Sequence, residues 1–289
     1  MPRQPASGIF PPVTSAAHNL VLLIPAYNEE DRIGPVLREY AGAFRRGFTG
    51  RFKIVVVLNG CRDNTLGVVR AAALEFPEIE YLDIQAPIGK GGALIEGLKL
   101  APQADLIGYV DADGATPAPA FLDLVKRADE ADCVIASRWL PGAILHQEQT
   151  HKRQFASRVF HLIVQSLFWM NIRDTQCGAK VMRRAAVETI HPNLRIADMA
   201  FDINLLYSLK RAGFSILEVP TEWTDKVGSK VVLGRTSLTM FLSTLRVRLI
   251  YSPLYAWLRP LRPLEGWIYG KLRSPQPLPG PPVARPRRT

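Results

Sequence analysis

From Leu20 to Leu140, short apolar runs alternate with longer segments whose apolar positions recur at helical spacing. Leu20–Pro25 and Lys53–Leu58 are two such runs, and Ile79–Ile84, Leu106–Asp111 and Cys133–Ser137 continue the series. Between them the periodicity predicts helices from about Asp31 to Arg46, over Asn64–Glu75 and Gly91–Leu100, and after Pro117, whose fixed φ suits a first helical turn. Strands alternating with helices predict an α/β fold with a mostly parallel sheet covered on both faces. In such sheets ligands bind beyond the carboxyl ends of the strands.

After Leu140 the pattern changes. Arg153–Asn171 is a helix-length run of large apolar residues broken by Arg158, His161 and Gln165. A helix over Ala197–Ala212, a strand over Phe214–Pro220 and a helix over Thr236–Leu258 follow. Two readings of the apolar helices stand. They pack on each other or on a second copy, or they lie in a membrane interface with Tyr251, Tyr255 and Trp257 at headgroup level. The expected division is a flexible segment over residues 1–19, a main domain over 20–232, amphipathic helices over 233–273 and a disordered Pro-rich basic tail over 274–289.

Charge sharpens the membrane reading. The net charge is +10, yet nine basic residues and a single acid, Glu265, lie between Arg246 and Thr289, so the body is nearly neutral. A nucleic-acid binder would carry its charge more evenly. A basic tail beside apolar helices fits an anionic membrane surface, at about 1 kcal/mol per basic residue near the bilayer, or else a solubilising tail. No uninterrupted apolar stretch reaches the ~18 residues of a membrane span, and the N-terminal residues lack the apolar run of a signal peptide. Cys61, Cys133 and Cys177 have no paired spacing, which fits reduced thiols and argues against a zinc site or disulfide framework.

Three motifs at strand ends carry candidate chemistry. Tyr109-Val110-Asp111-Ala112-Asp113-Gly114 delivers two carboxylates into a turn. Such a pair either holds a hard cation, Mg²⁺ or Mn²⁺, with a diphosphate and waters completing the shell, or is simply an acidic turn. In Pro25-Ala26-Tyr27-Asn28-Glu29-Glu30 an aromatic ring beside polar groups suits a nucleobase, while the acids equally suit a helix entry. In Gly89-Lys90-Gly91-Gly92 the glycines permit close backbone approach, and the helix N–H groups with Lys90 favour phosphate; a flexible turn is the plain alternative. The spacing is not that of a Walker loop, and no Gly-x-Gly-x-x-Gly follows a strand, which counts against a dehydrogenase.

Together these motifs resemble a family 2 glycosyltransferase of the Rossmann-like GT-A fold, over roughly Leu20 to Tyr255. The closest likeness is to polyprenyl-phosphate (dolichyl-phosphate) glycosyltransferases, the glucosyl branch in particular. Asp111-Ala112-Asp113-Gly114-Ala115-Thr116, Asp174-Thr175-Gln176-Cys177-Gly178-Ala179-Lys180, and Trp223 followed by Gly228-Ser229-Lys230 carry it. The resemblance implies that Pro25, Tyr27 and Glu29 hold the nucleoside with help from Asp63, and that Lys90 meets the donor phosphates. Asp111 would contact ribose and metal, and Asp113 the metal. It implies acceptor-phosphate roles for Arg138, Arg153 and Ser157, and a loop bearing Ser229 and Lys230 that covers the phosphates. Two departures stand out. Asn59-Gly60-Cys61-Arg62-Asp63 replaces the paired-Asp turn of most relatives, and Ala115 stands where mannosyl relatives place a metal-binding Gln.

The activity implied is inverting transfer of a hexose, glucose from UDP-glucose, to polyprenyl phosphate by a peripheral enzyme on the cytoplasmic face of a membrane. A GDP-mannose-dependent enzyme on the same lipid, and a soluble enzyme with a hydroxyl acceptor, are the alternatives. A hydroxyl acceptor needs a general base, for which Asp202 is the first candidate and Asp174 the second. A phosphate, with a second pKa near ~6, is already anionic, leaving Asp202 to order the loop or bind a donor hydroxyl. A nucleotidyltransferase would carry a Gly-rich basic loop after the first strand, which Pro25–Glu30 is not. A catalytically dead binding module would have no need of Asp111, Asp113 and Lys230.

Overall fold

The computed structural model describes residues 18–146, 151–224 and 233–252. Its strands are β1 (Leu20–Ala26), β2 (Phe52–Asn59), β3 (Ile79–Ile84), β4 (Leu106–Tyr109), β5 (Cys133–Ser137), β6 (Ile144–Leu145), β7 (Lys180–Arg183), β8 (Ile216–Pro220) and β9 (Glu222–Trp223). The helices are α1 (Ile33–Gly47), α2 (Thr65–Glu75), α3 (Gly89–Leu98), α4 (Ala118–Lys126), α5 (His151–Phe168), α6 (Arg184–Ile190), α7 (Phe201–Arg211) and α8 (Leu233–Ile250). Seven strands form one sheet in the order β3-β2-β1-β4-β7-β5-β8, and β6 pairs with β9 in a small second one.

The mostly parallel, doubly covered sheet expected from the alternation is present. β1 shows why its sequence is a continuous apolar run. Leu20, Leu22 and Ile24 pack with Tyr40, Phe44 and Phe121 on one face, while Val21 and Leu23 pack with Leu94, Phe201 and Leu205 on the other. Burying one such side chain contributes about 1.5–3 kcal/mol, so both faces favour the strand.

Two features differ from expectation. β4 ends at Tyr109, so Asp111 lies in the turn and not on the strand. β7 was not expected at all: it runs antiparallel between β4 and β5, pairing Tyr109 with Lys180 and Ile135 with Lys180. Only four residues long and with a Lys and an Arg at its ends, it lacks a legible strand pattern. The consequence is positional. Being reversed, β7 begins where the parallel strands end, so residues 174–180 enter the site.

Helix α5 buries Val164 and Phe168 while Leu162 is 67% and Trp169 80% exposed. Tyr251, expected at headgroup level in the membrane reading, is turned inward instead. Its ring packs edge-on to Tyr207, and its hydroxyl meets Asn204 and Ser208. Among the described residues no helix is long and apolar enough to cross a membrane. Tyr255, Trp257, Ser229, Lys230 and the segments 1–17 and 274–289 lie outside the described residues, as does the side chain of Arg153.

Candidate active site

The carboxyl ends of β1, β2 and β4 meet at one edge of the sheet. After β1 the chain turns through Asn28, whose φ of 54° is a left-handed conformation that Asn tolerates better than most residues. Its Oδ1 accepts the Arg62 N–H at 2.8 Å, tying the β1 turn to the β2 loop. Asp63 completes that tie by accepting the N–H groups of Glu30 and Thr65. Glu29 forms a two-pronged pair with Arg32, both contacts at 2.7 Å. The Tyr27 hydroxyl is buried with no partner among the described residues. Pro25, Tyr27, Glu29 and Asp63 therefore share one corner.

The acidic turn stands beside it. Asp113 accepts the Ala115 N–H at 2.9 Å, and the Tyr40 hydroxyl donates to the Thr116 carbonyl at 2.8 Å, so α1 holds the turn from behind. Asp111 is met by Lys90 Nζ at 2.5 Å. A methyl group on Gly178 would sit 2.0 Å from Asp111 Oδ2, so any side chain there pushes that carboxylate aside. Burial and the neighbouring Asp111 charge push the Asp113 carboxyl up from its usual range. Burial works to lower the Lys90 pKa, but Asp111 and Asp202 outweigh it and hold the ammonium above its usual value. The glycines of the Lys90 turn serve the protein backbone: added side chains at Gly89 and Gly91 would strike the carbonyls of Ala197 and Ile196, and the Gly92 N–H donates to Ala197.

Beneath the turn lies a buried ionic group. Lys180 and Asp202, both buried, are 2.5 Å apart, Lys180 also donates to the Cys177 carbonyl at 2.6 Å, and the Tyr109 hydroxyl donates to Asp202. Burial alone would raise the Asp202 pKa, but Lys180 and Lys90 overcome it and hold the carboxyl below its usual value. This group ties β4, β7 and α7 together directly under Asp111.

A second pair defines a small cleft. Arg138 Nε and Nη2 reach Asp174 at 2.7 and 2.9 Å, and its backbone N–H adds a third bond at 3.0 Å. Against the opposing effect of burial, Arg138 holds the Asp174 carboxyl low. Glu218 fixes the loop by accepting the N–H groups of Arg173 and Asp174. The guanidinium also lies over the Trp223 ring, 5.2 Å from its centre. Arg138, Ser157, His161, Arg173, Asp174 and Gln176 line the cleft.

The residues present fit a divalent cation. Two adjacent hard-oxygen donors repel each other, with Lys90 the one cation among the described residues in direct contact and Arg32 acting from farther off, a charge imbalance that a cation relieves. Among the described residues no group of three side-chain ligands stands ready, so a diphosphate and waters would fill the shell.

Sequence reasoning gave no role to Lys180, Tyr109, Gly178 or His161. Lys180 and Gly178 sat in a motif whose geometry depends on the reversed β7. His161 follows Ser157 by one helical turn, a spacing that was available as a signal.

Residues 21–190 match the Glycosyl transferase family 2 domain, and this chain belongs to that family. It is a glycosyltransferase. It is 32% identical to the dolichyl-phosphate beta-glucosyltransferase ALG5C of Trichomonas vaginalis over 236 residues, 78% of this chain and 70% of that one. It is 31% identical to the dolichyl-phosphate beta-glucosyltransferase of Dictyostelium discoideum over 248 residues, 80% of this chain and 74% of the relative. The fold is shared with glucosyl-3-phosphoglycerate synthase of Mycobacterium tuberculosis solved with Mn²⁺, UDP and glucosyl-3-phosphoglycerate. That likeness has a TM-score of 0.59 at 17% identity and covers 82% of each chain.

Proposed function

We propose that this chain transfers glucose from UDP-glucose to the phosphate of a polyprenyl (dolichyl) lipid at a membrane surface, with inversion at the anomeric carbon. The observation that carries the reading is the Arg138 guanidinium, pinned by Asp174 and placed with Ser157 in a cleft whose loop also packs on Asp111. The names of the relatives supply the sugar and the acceptor.

In this reading Tyr27, Glu29 and Asp63 hold the nucleoside and Lys90 the donor diphosphate. A Mg²⁺ or Mn²⁺ held by Asp111 and Asp113 would supply positive charge to the departing diphosphate. An oxygen of the lipid phosphate attacks the anomeric carbon as the bond to the diphosphate oxygen breaks, and the electron pair leaves with the diphosphate. The nucleophile is already anionic, so no proton need be removed. The protein's task is alignment and offset of like charge, which falls to Arg138 and Ser157, with Arg153, Ser229 and Lys230 joining from the positions the resemblance assigns. Asp174 and Asp202 act as anchors: each is buried and paired with a cation that keeps its basicity low. The outward face of α5, with Val159 and Leu162, and Trp169 just beyond its end, meets the lipid surface, at the cytoplasmic leaflet and with the basic C-terminal residues.

The test is to incubate purified protein with Mg²⁺ or Mn²⁺, a panel of UDP- and GDP-sugars, and a short polyprenyl phosphate or the matching polyprenol. Mass spectrometry is expected to show hexosyl-phosphate lipid from UDP-glucose alone, and Arg138→Lys to raise KM for the lipid at least tenfold with donor KM unchanged. Product on polyprenol only, or from GDP-mannose only, overturns the assignment.

Gly178→Ala gives an independent check of the acidic turn. The added methyl must displace the Asp111 carboxylate, and misplacement by ~1 Å costs about 10²-fold in rate. A loss of that size in kcat/KM, with unchanged circular dichroism, is expected. Near-normal kcat/KM would show that Asp111 tolerates displacement.

A further inference from the structure

We propose that Lys90 occupies the place of the divalent cation on Asp111, so that the enzyme binds metal tightly only together with a nucleotide diphosphate. The inference rests on the metal-assisted reading of the Asp111–Asp113 turn.

The contact itself is the starting point. Lys90 Nζ lies 2.5 Å from Asp111 Oδ1, on the carboxylate that metal would need. An ammonium and a divalent cation sharing one carboxylate repel each other strongly, so metal on Asp111 disfavours the Lys90 contact. The backbones at both ends are held. Gly89 sits at φ +83° with its Cα against the Ala197 carbonyl, Gly91 abuts Ile196 and Phe201, and the Gly92 N–H is bonded to Ala197. Asp111 is in turn backed by Gly178. Exchange is therefore a swing of the Lys90 side chain, with no movement of α3 or the acidic turn.

Charge decides when the swing is favourable. Asp111, Asp113 and Asp202 all act on Lys90. With Asp202 paired to the fully buried Lys180, Arg32 to Glu29 and Arg138 to Asp174, the two turn carboxylates face one ammonium, an excess of one negative charge. A divalent cation arriving alone reverses that excess and strips Lys90 of its direct partner. A cation arriving with a diphosphate brings anionic oxygens on which the displaced ammonium can settle. Metal and nucleotide thus strengthen each other's binding through Lys90, and couplings of this kind are worth about 5- to 150-fold.

The experiment measures Mn²⁺ affinity by electron paramagnetic resonance or calorimetry for the wild-type chain, Lys90→Gln and Lys90→Arg, with and without saturating UDP. Thermal melts confirm that each variant is folded. Lys90→Gln is expected to bind Mn²⁺ alone about tenfold more tightly than wild type and to gain less from UDP. Lys90→Arg, which keeps the charge, is expected to behave as wild type. Equal or weaker binding of Mn²⁺ alone by Lys90→Gln overturns the inference while leaving the metal site standing. Absence of Mn²⁺ binding in every form, with and without UDP, removes the metal-assisted reading along with it.

Discussion

Asp113→Asn is expected to lower kcat/KM by at least about 10³-fold, roughly 4 kcal/mol of transition-state stabilisation, while the thermal midpoint stays level or rises. The substitution keeps the shape and the acceptor for the Ala115 N–H, so the turn is preserved. What it removes is a charge that folding opposes. Burial and Asp111 raise the Asp113 pKa, so the ionised form is less favourable in the folded chain than in the unfolded one, and a neutral amide relieves that cost. A site that gains stability on losing activity holds its charge for a ligand. Steady-state kinetics together with calorimetric melts decide the matter. Activity within tenfold of wild type would show that this carboxylate has no part in catalysis.

Lys180→Met carries the largest expected effect on stability. It leaves Asp202 buried against Tyr109 without its contacting cation, a change that costs about 3–5 kcal/mol. Lys180→Met combined with Asp202→Leu is expected to recover most of that loss, because no uncompensated charge remains. Urea unfolding of the two variants measures both, and a cost below ~1 kcal/mol for the single change would mean that Asp202 finds another partner. The same group shapes acid stability. Asp202 and Asp174 are held below the ordinary carboxylate value of 3.8, so the stability they contribute is full above that pH and is lost as pH falls through their lower folded values.

Several parts of this arrangement were legible in the chain alone. The continuous apolar runs of β1 and β2 belong to strands covered on both faces, which buries Leu22 on one side and Leu23 on the other. That the motifs lie at strand ends followed from the alternation, while the grouping of Tyr27, Glu29 and Asp63 came from the family resemblance. Other parts depended on pairing that no local pattern encodes. No local pattern marks Lys180 as buried; β7, lying reversed between β4 and β5, places it in the interior of the sheet. The partners of the two buried carboxylates were hidden for the same reason: Arg138 lies 36 residues from Asp174, and Lys180 lies 22 from Asp202. The glycines around Lys90 were expected to admit a phosphate, yet they accommodate the chain at Ile196 and Ala197.

The reversed strand divides the molecule along its length. In the proposed reading the residues that would hold the nucleoside, the diphosphate and the metal, Tyr27, Glu29, Asp63, Lys90, Asp111 and Asp113, all precede residue 114, whereas Arg138, Ser157 and the 174–180 loop come later, around β5 and β7. On that reading, changes confined to the second block would alter what is glycosylated and leave sugar activation intact. Chimeras cut within α4 should inherit acceptor preference from whichever parent supplies the later block.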